Sequence, residues 1–180
     1  MRAAVNPCCE AFYGGSSDRR QLLRGLGLAG IAASLPFTAH AAEGNYEAML
    51  LSCIDPRMVT PVYKYMDGQG LAGKYSQFCI AGAAIAVVAD KFKAWRPAFW
   101  DNAATTVQLH HIKKIIAIDH RDCGAAKIAY GEKAVATPQA ETATHKKALA
   151  EFREVVAKRQ PKLTVVTGLM ALDGSIEIFI

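Results

Sequence analysis

With 180 residues, 52% of them hydrophobic and 21% charged, the chain is long enough to bury one core and too apolar for bulk disorder. Its formal charge of +5 comes from scattered lysines and short pairs such as Lys113-Lys114 and Lys146-Lys147. No basic stripe with interleaved aromatics accompanies them, which argues against a nucleic-acid partner.

The first segment reads as an export signal rather than as part of the fold. In "SSDRRQLLRGLGLAGIAASLPFTAHAAEG" the pair Arg19-Arg20 precedes a Gly- and Ala-rich apolar run that ends in Ala39-His40-Ala41. A twin-arginine pair, a moderately apolar stretch and an A-x-A site match a Tat-type signal. Residues 1–41 are therefore expected to be cleaved, leaving 42–180 as a single periplasmic domain. Arg24 interrupts the apolar run, and the stretch beyond it is too short to span a bilayer, so no stable membrane anchor is expected after cleavage. Cys8 and Cys9 leave with the signal, and Cys53, Cys79 and Cys123 remain. An odd count in an oxidising compartment argues against a disulfide framework. A Cys53–Cys123 disulfide and a pair of metal-bound thiolates both stay open, with Cys79 expected in the core.

From about Asn45 strand-like and helix-like segments alternate. "YEAMLLSCI" predicts a buried strand ending near Cys53, and "VTPVYKYMD" a short helix closed by Gly68-Gln69-Gly70. "SQFCIAGAAIAVVA" predicts a strand giving way near Gly82 to small residues that allow close backbone approach. "DKFKAWRPAFWDNAATTVQLHHI" reads as helical, with Pro97 expected to kink or split it. Trp95, Phe99 and Trp100 form a stripe on it suited to core or subunit interface. "KKIIAID" predicts a central strand, followed by a short helix in "HRDCGAAKIAYG". Thr137, Pro138 and Glu141 mark the start of a helix running to about Arg159. "KLTVVTGLMAL" and "SIEIFI" flank an Asp173-Gly174 turn as a hairpin. The alternation predicts an α/β fold: a mainly parallel β-sheet flanked by helices, with an antiparallel C-terminal strand.

Two polar clusters end the predicted strands. In "CIDPR" Cys53, Asp55 and Arg57 alternate; in "IDHRDCG" His120 and Cys123 stand three apart. If the two strands are neighbours, both clusters open into one crevice at the carboxyl ends of the sheet. Two thiolates and an imidazole suit tetrahedral Zn²⁺ with a fourth position left for water. An arginine holding Asp55 bidentately would keep that carboxylate ionised and turned from the metal. Asp119, Arg121 and Asp122 read equally well as solvated loop charges or as support for the ligands. His110 and His111 are expected at a solvent-facing helix end, and His145, among lysines, on the surface.

C-x-D-x-R followed by a strand ending in H-x-x-C-G resembles the β-class carbonic anhydrases, and "GLMALDGSIEIF" is similar to that family's closing hairpin. The resemblance runs from about residue 46 to 180. It implies that Cys53, His120 and Cys123 bind zinc and that Asp55 and Arg57 form the charged pair beside it. It also implies reversible hydration of CO₂ to bicarbonate by zinc-bound hydroxide, in a protein built on homodimers. Two departures stand out: Pro56 where many members have serine, and "CIAGAA" where the family carries an R-N-A-G-like run. The second leaves hydrolysis of carbonyl sulfide or carbon disulfide on the same zinc fold as an alternative. A non-catalytic periplasmic zinc-binding or redox protein is the alternative of a different class.

Overall fold

The computed structural model describes residues 44–180; the expected signal segment, residues 1–41, lies outside them. Among the described residues ten regular elements run in order: β1 (Ala48–Ser52), α1 (Val59–Gly68), β2 (Tyr75–Cys79), α2 (Ala84–Val88), α3 (Arg96–His110), β3 (Lys114–His120), α4 (Gly124–Tyr130), α5 (Pro138–Arg159), β4 (Thr164–Met170) and β5 (Ile176–Phe179). Short 3₁₀ turns at Pro56–Met58, Asp90–Trp95 and Glu132–Val135 join them.

The strands form one sheet in the order β2-β1-β3-β4-β5, parallel except for the antiparallel β4–β5 pair. This is the expected α/β architecture. β1 and most of β3 are buried on both faces, which is why they read as unbroken apolar runs rather than as alternating strands. Side chains at alternate positions feed two cores. Met49, Leu51, Ile115 and Ala117 pack against α2, Phe99 of α3 and Leu149, Phe152 and Val156 of α5. Leu50, Ile116 and Ile118 face the other way, onto Val62 and Met66 of α1.

Local chemistry sets the helix ends. Thr137 caps α5, its hydroxyl accepting from the Ala140 N–H at 3.2 Å, with Pro138 in the first turn. Pro97 splits its segment rather than kinking it: a 3₁₀ turn, Asp90–Trp95, ends just before it and α3 begins with Pro97 in the first turn, where the missing N–H costs nothing. The aromatic stripe divides: Phe99 is buried, whereas Trp95 is 40% exposed and stacked on Phe92. Cys79, expected in the core, is exposed because β2 is an edge strand. No helix among the described residues is long and apolar enough to cross a membrane.

Candidate metal centre

Register brings the two clusters together. β1 and β3 are neighbours, with Ser52 opposite Ile118, so Cys53 leaves β1 beside the end of β3. His120 closes β3, and the Arg121 N–H continues the ladder to the Met170 carbonyl at 2.9 Å. Asp122 then takes a left-handed conformation (φ 55°), turning the chain so that Cys123 sits at the start of α4. The ligating atoms of Cys53, His120 and Cys123 all lie within 4.8 Å of one another.

The donor set fits a zinc ion. His120 Nδ1 is hydrogen-bonded to the Arg121 carbonyl at 2.8 Å, which fixes the tautomer and leaves the Nε2 lone pair free. Nε2 is buried and has no hydrogen-bond partner, an arrangement that costs free energy unless something binds it. Two sulfurs and one imidazole nitrogen are the donors of an open tetrahedral zinc site. Hydrogen bonding to Cys123 holds the Cys53 thiol well below its usual range, and the same bond pushes Cys123 up. Burial works against a charged His120, yet the nearby Cys53 sulfur, the Arg121 carbonyl and the Asp55 carboxylate together outweigh it and raise that group.

Beside the trio, Asp55 is fixed by two local features. Its side chain caps the 3₁₀ turn, accepting from the Arg57 N–H at 2.9 Å, and Pro56 supplies the turn's first position. The Arg57 guanidinium grips the same carboxylate, Nη2 to Oδ2 at 2.7 Å and Nε to Oδ1 at 3.0 Å. This grip holds the Asp55 carboxyl at about 2, so it is ionised throughout the neutral range. Asp55 Oδ2 lies 3.9 Å from His120 Nε2. Arg57 also reaches the loop between the ligands, donating to Asp122 Oδ2 at 2.7 Å and to the Asp122 carbonyl at 3.1 Å.

The intervening charges are hydrogen-bonded to their surroundings, with the Asp122 side chain itself 75% exposed. Glu141, on the first turn of α5, accepts from the Asp122 N–H at 2.6 Å and from Arg121 at 3.2 Å. Arg121 also donates to Thr142 Oγ1 at 2.9 Å. The larger corrections are Asp119 and His145. Neither is a surface group: they are 1% and 0% exposed. His145 Nδ1 is hydrogen-bonded to Asp119 Oδ2 at 2.8 Å, and Asp119 Oδ1 accepts from the Ala84 N–H at 3.0 Å. Burial raises the Asp119 carboxyl in spite of both bonds. The signal was present in the sequence. Asp119 follows Ile115 and Ala117 at strand spacing, and His145 lies on one helical stripe with Leu149, Phe152 and Val156.

His110 and His111 lie before β3, at its opposite end from His120, roughly 20 Å away by strand rise. His110 bonds Ser76 at 2.5 Å and packs on Tyr46, and neither histidine is brought to the trio.

Similarity to known proteins agrees with this geometry. Residues 43–177 match the family described as "Putative carbonic anhydrase", and the chain belongs to that family. An uncharacterized protein of Rickettsia conorii is 36% identical over 129 residues, covering 72% of this chain and 69% of that protein. An uncharacterized protein of Rickettsia bellii is likewise 36% identical over 129 residues, covering 72% and 79%. Among solved structures, the Coccomyxa β-carbonic anhydrase in complex with acetazolamide aligns with a TM-score of 0.52 at 15% identity, over 99% of this chain and 87% of that one. The β-carbonic anhydrase CafA of Aspergillus fumigatus aligns at 0.50 and 15%, over 96% and 86%. At such identities these two alignments establish the fold.

Proposed function

We propose that the chain is a zinc enzyme that interconverts CO₂ and bicarbonate. The observation that carries this reading is the convergence of Cys53, His120 and Cys123 within 4.8 Å around a buried imidazole nitrogen with no other partner. Zinc bound there would supply a Lewis acid that brings the pKa of water down to about 7. Cys53 and Cys123 would bind it as thiolates and His120 through Nε2. Asp55, gripped by Arg57, is kept from swinging onto the trio and stays ionised. Its carboxylate can accept a hydrogen bond from the attacking water and aim a lone pair at the substrate carbon. Stopped-flow CO₂ hydration across pH, with zinc quantified in the same preparation, tests the reading. Rate proportional to zinc is expected; one zinc per chain with no hydration at any pH would overturn it.

A second reading keeps the site and changes the substrate to carbonyl sulfide or carbon disulfide. "CIAGAA", lacking the arginine and asparagine found in β-class enzymes, favours it. The three substrates in one assay separate the readings. For a redox or non-catalytic role, the discriminating measurement is thiol titration: two thiols released by reductant and not by chelator would mean a disulfide.

The proposal includes twin-arginine export to the periplasm and a dimer as the working unit. Loss of export in an Arg19→Lys, Arg20→Lys chain tests the first, and light scattering of the purified protein tests the second.

A further inference from the structure

The Cys53 sulfur accepts a hydrogen bond from the Gly82 N–H at 3.2 Å. That N–H belongs to a turn with a demanding backbone. Gly82 has φ +85°, and a Cβ there would stand 2.9 Å from the Ala125 Cβ. The next residue, Ala83, sits at φ 47°, ψ −113°, a region that residues with a side chain rarely adopt. Such a conformation persists only where its surroundings over-determine it. Ala83 offers no side-chain cap to the helix that follows. Its place is taken from another strand, by Asp119 Oδ1 accepting from the Ala84 N–H. His145, from α5, in turn fixes the carboxylate.

We propose that the buried His145–Asp119 pair is a positioning device for the metal centre, locking the Gly82–Ala84 turn so that the Gly82 N–H is delivered to the Cys53 sulfur. The inference rests on reading Cys53, His120 and Cys123 as zinc ligands. One strand end serves both purposes: β3 presents Asp119 to the face packed by α2 and α5, and the adjacent His120 to the trio. An N–H···S bond on a thiolate ligand restrains the sulfur's direction and draws electron density from it, so it tunes both metal affinity and Lewis acidity. The bond between His145 and Asp119 survives with the proton on either partner, because an imidazole N–H can donate to a carboxylate and a carboxylic acid can donate to imidazole nitrogen.

The test compares His145→Leu with His145→Asn in the full chain, since the asparagine amide can donate from near the Nδ1 position. Zinc dissociation constants by chelator competition and the thiolate-to-cobalt band of the cobalt-loaded protein are the readouts. His145→Leu should weaken zinc binding about ten- to a hundredfold and shift the band, and His145→Asn should recover most of that loss. If His145 serves only stability, the leucine variant melts earlier while its zinc affinity and cobalt band match wild type, and the inference is overturned. Should the leucine variant not fold, the wild-type chain loaded with an NMR-active cadmium isotope decides. Scalar coupling from the Gly82 amide proton to the metal supports the N–H···S delivery, and its absence overturns it. A wild-type chain that takes up no zinc overturns the metal reading and this inference together, whereas normal uptake with an unaltered leucine variant overturns the inference alone.

Discussion

Two aspartates flank the candidate ligands, each bonded to one basic side chain, and they emerge with opposite properties. Asp55 is 16% exposed and receives several hydrogen bonds from Arg57, and its carboxyl drops to about 2. Asp119 also has a basic partner and a backbone donor, yet complete burial raises its carboxyl. Desolvation decides the difference, because each bond favours the ionised form while loss of water disfavours it. The aspartate that water still reaches therefore keeps a charge available for chemistry. The buried one holds a turn and a strand end together.

The comparison breaks most severely if the trio itself is removed. Cys53→Ala, His120→Ala and Cys123→Ala should each abolish zinc uptake and CO₂ hydration together, read by metal analysis and stopped flow. Full metal content in any of the three would remove that residue from the ligand set. Next in size is the buried aspartate. Asp119→Leu strands His145 and the Ala84 N–H without partners, and should cost about 3–5 kcal/mol in urea unfolding. Asp119→Asn keeps an acceptor for Ala84 and a group that can bond His145, so it should cost much less. Equal losses in the two variants would mean that shape rather than hydrogen bonding matters at this position.

The exposed pair predicts the reverse pattern, little stability lost and much rate. Arg57→Ala removes the grip on Asp55 and the tie to Asp122, but touches no ligand of the trio. Zinc content should stay at wild-type level while hydration falls by at least about a hundredfold, the scale of a misplaced proton acceptor. Unchanged turnover would show that Asp55 needs no positioning by Arg57.

The candidate ligands and the charged pair were legible because each motif is local: the spacings C-x-D-x-R and H-x-x-C survive in one dimension. Their convergence needed only that β1 and β3 be neighbours, a condition that the sequence left open and the register meets. Cys79 was misread for lack of sheet order, since nothing in "YSQFC" distinguishes an edge strand from a central one. His145 was misread because Lys146 and Lys147 follow it in sequence, although on the helix they point away from the stripe it shares with Leu149 and Phe152. Periodicity carried more weight there than chain neighbours did. The N–H of Gly82 was out of reach altogether, because a backbone donor has no letter in the sequence.

The smallest effect is the sharpest probe of the two aspartates: the pH dependence of stability, measured on metal-free chain. Asp55 has a folded value of about 2 against an ordinary 3.8, so its contribution is complete above 3.8 and is lost as pH falls toward 2. Asp119 has a folded value raised above 3.8, so its sign is reversed: its contribution is largest at acid pH and declines as pH rises past 3.8. Urea midpoints of wild type and Arg57→Ala should therefore converge as pH is lowered from about 4 toward 2, since acid removes the interaction that the variant already lacks. Wild type and Asp119→Asn should diverge the other way, with wild type losing ground to the variant as pH rises, because asparagine cannot ionise in the core. Slopes of the same sign for both comparisons would mean that the two carboxylates share one environment, and the division between a charge kept for chemistry and a group kept for framing would fall with it.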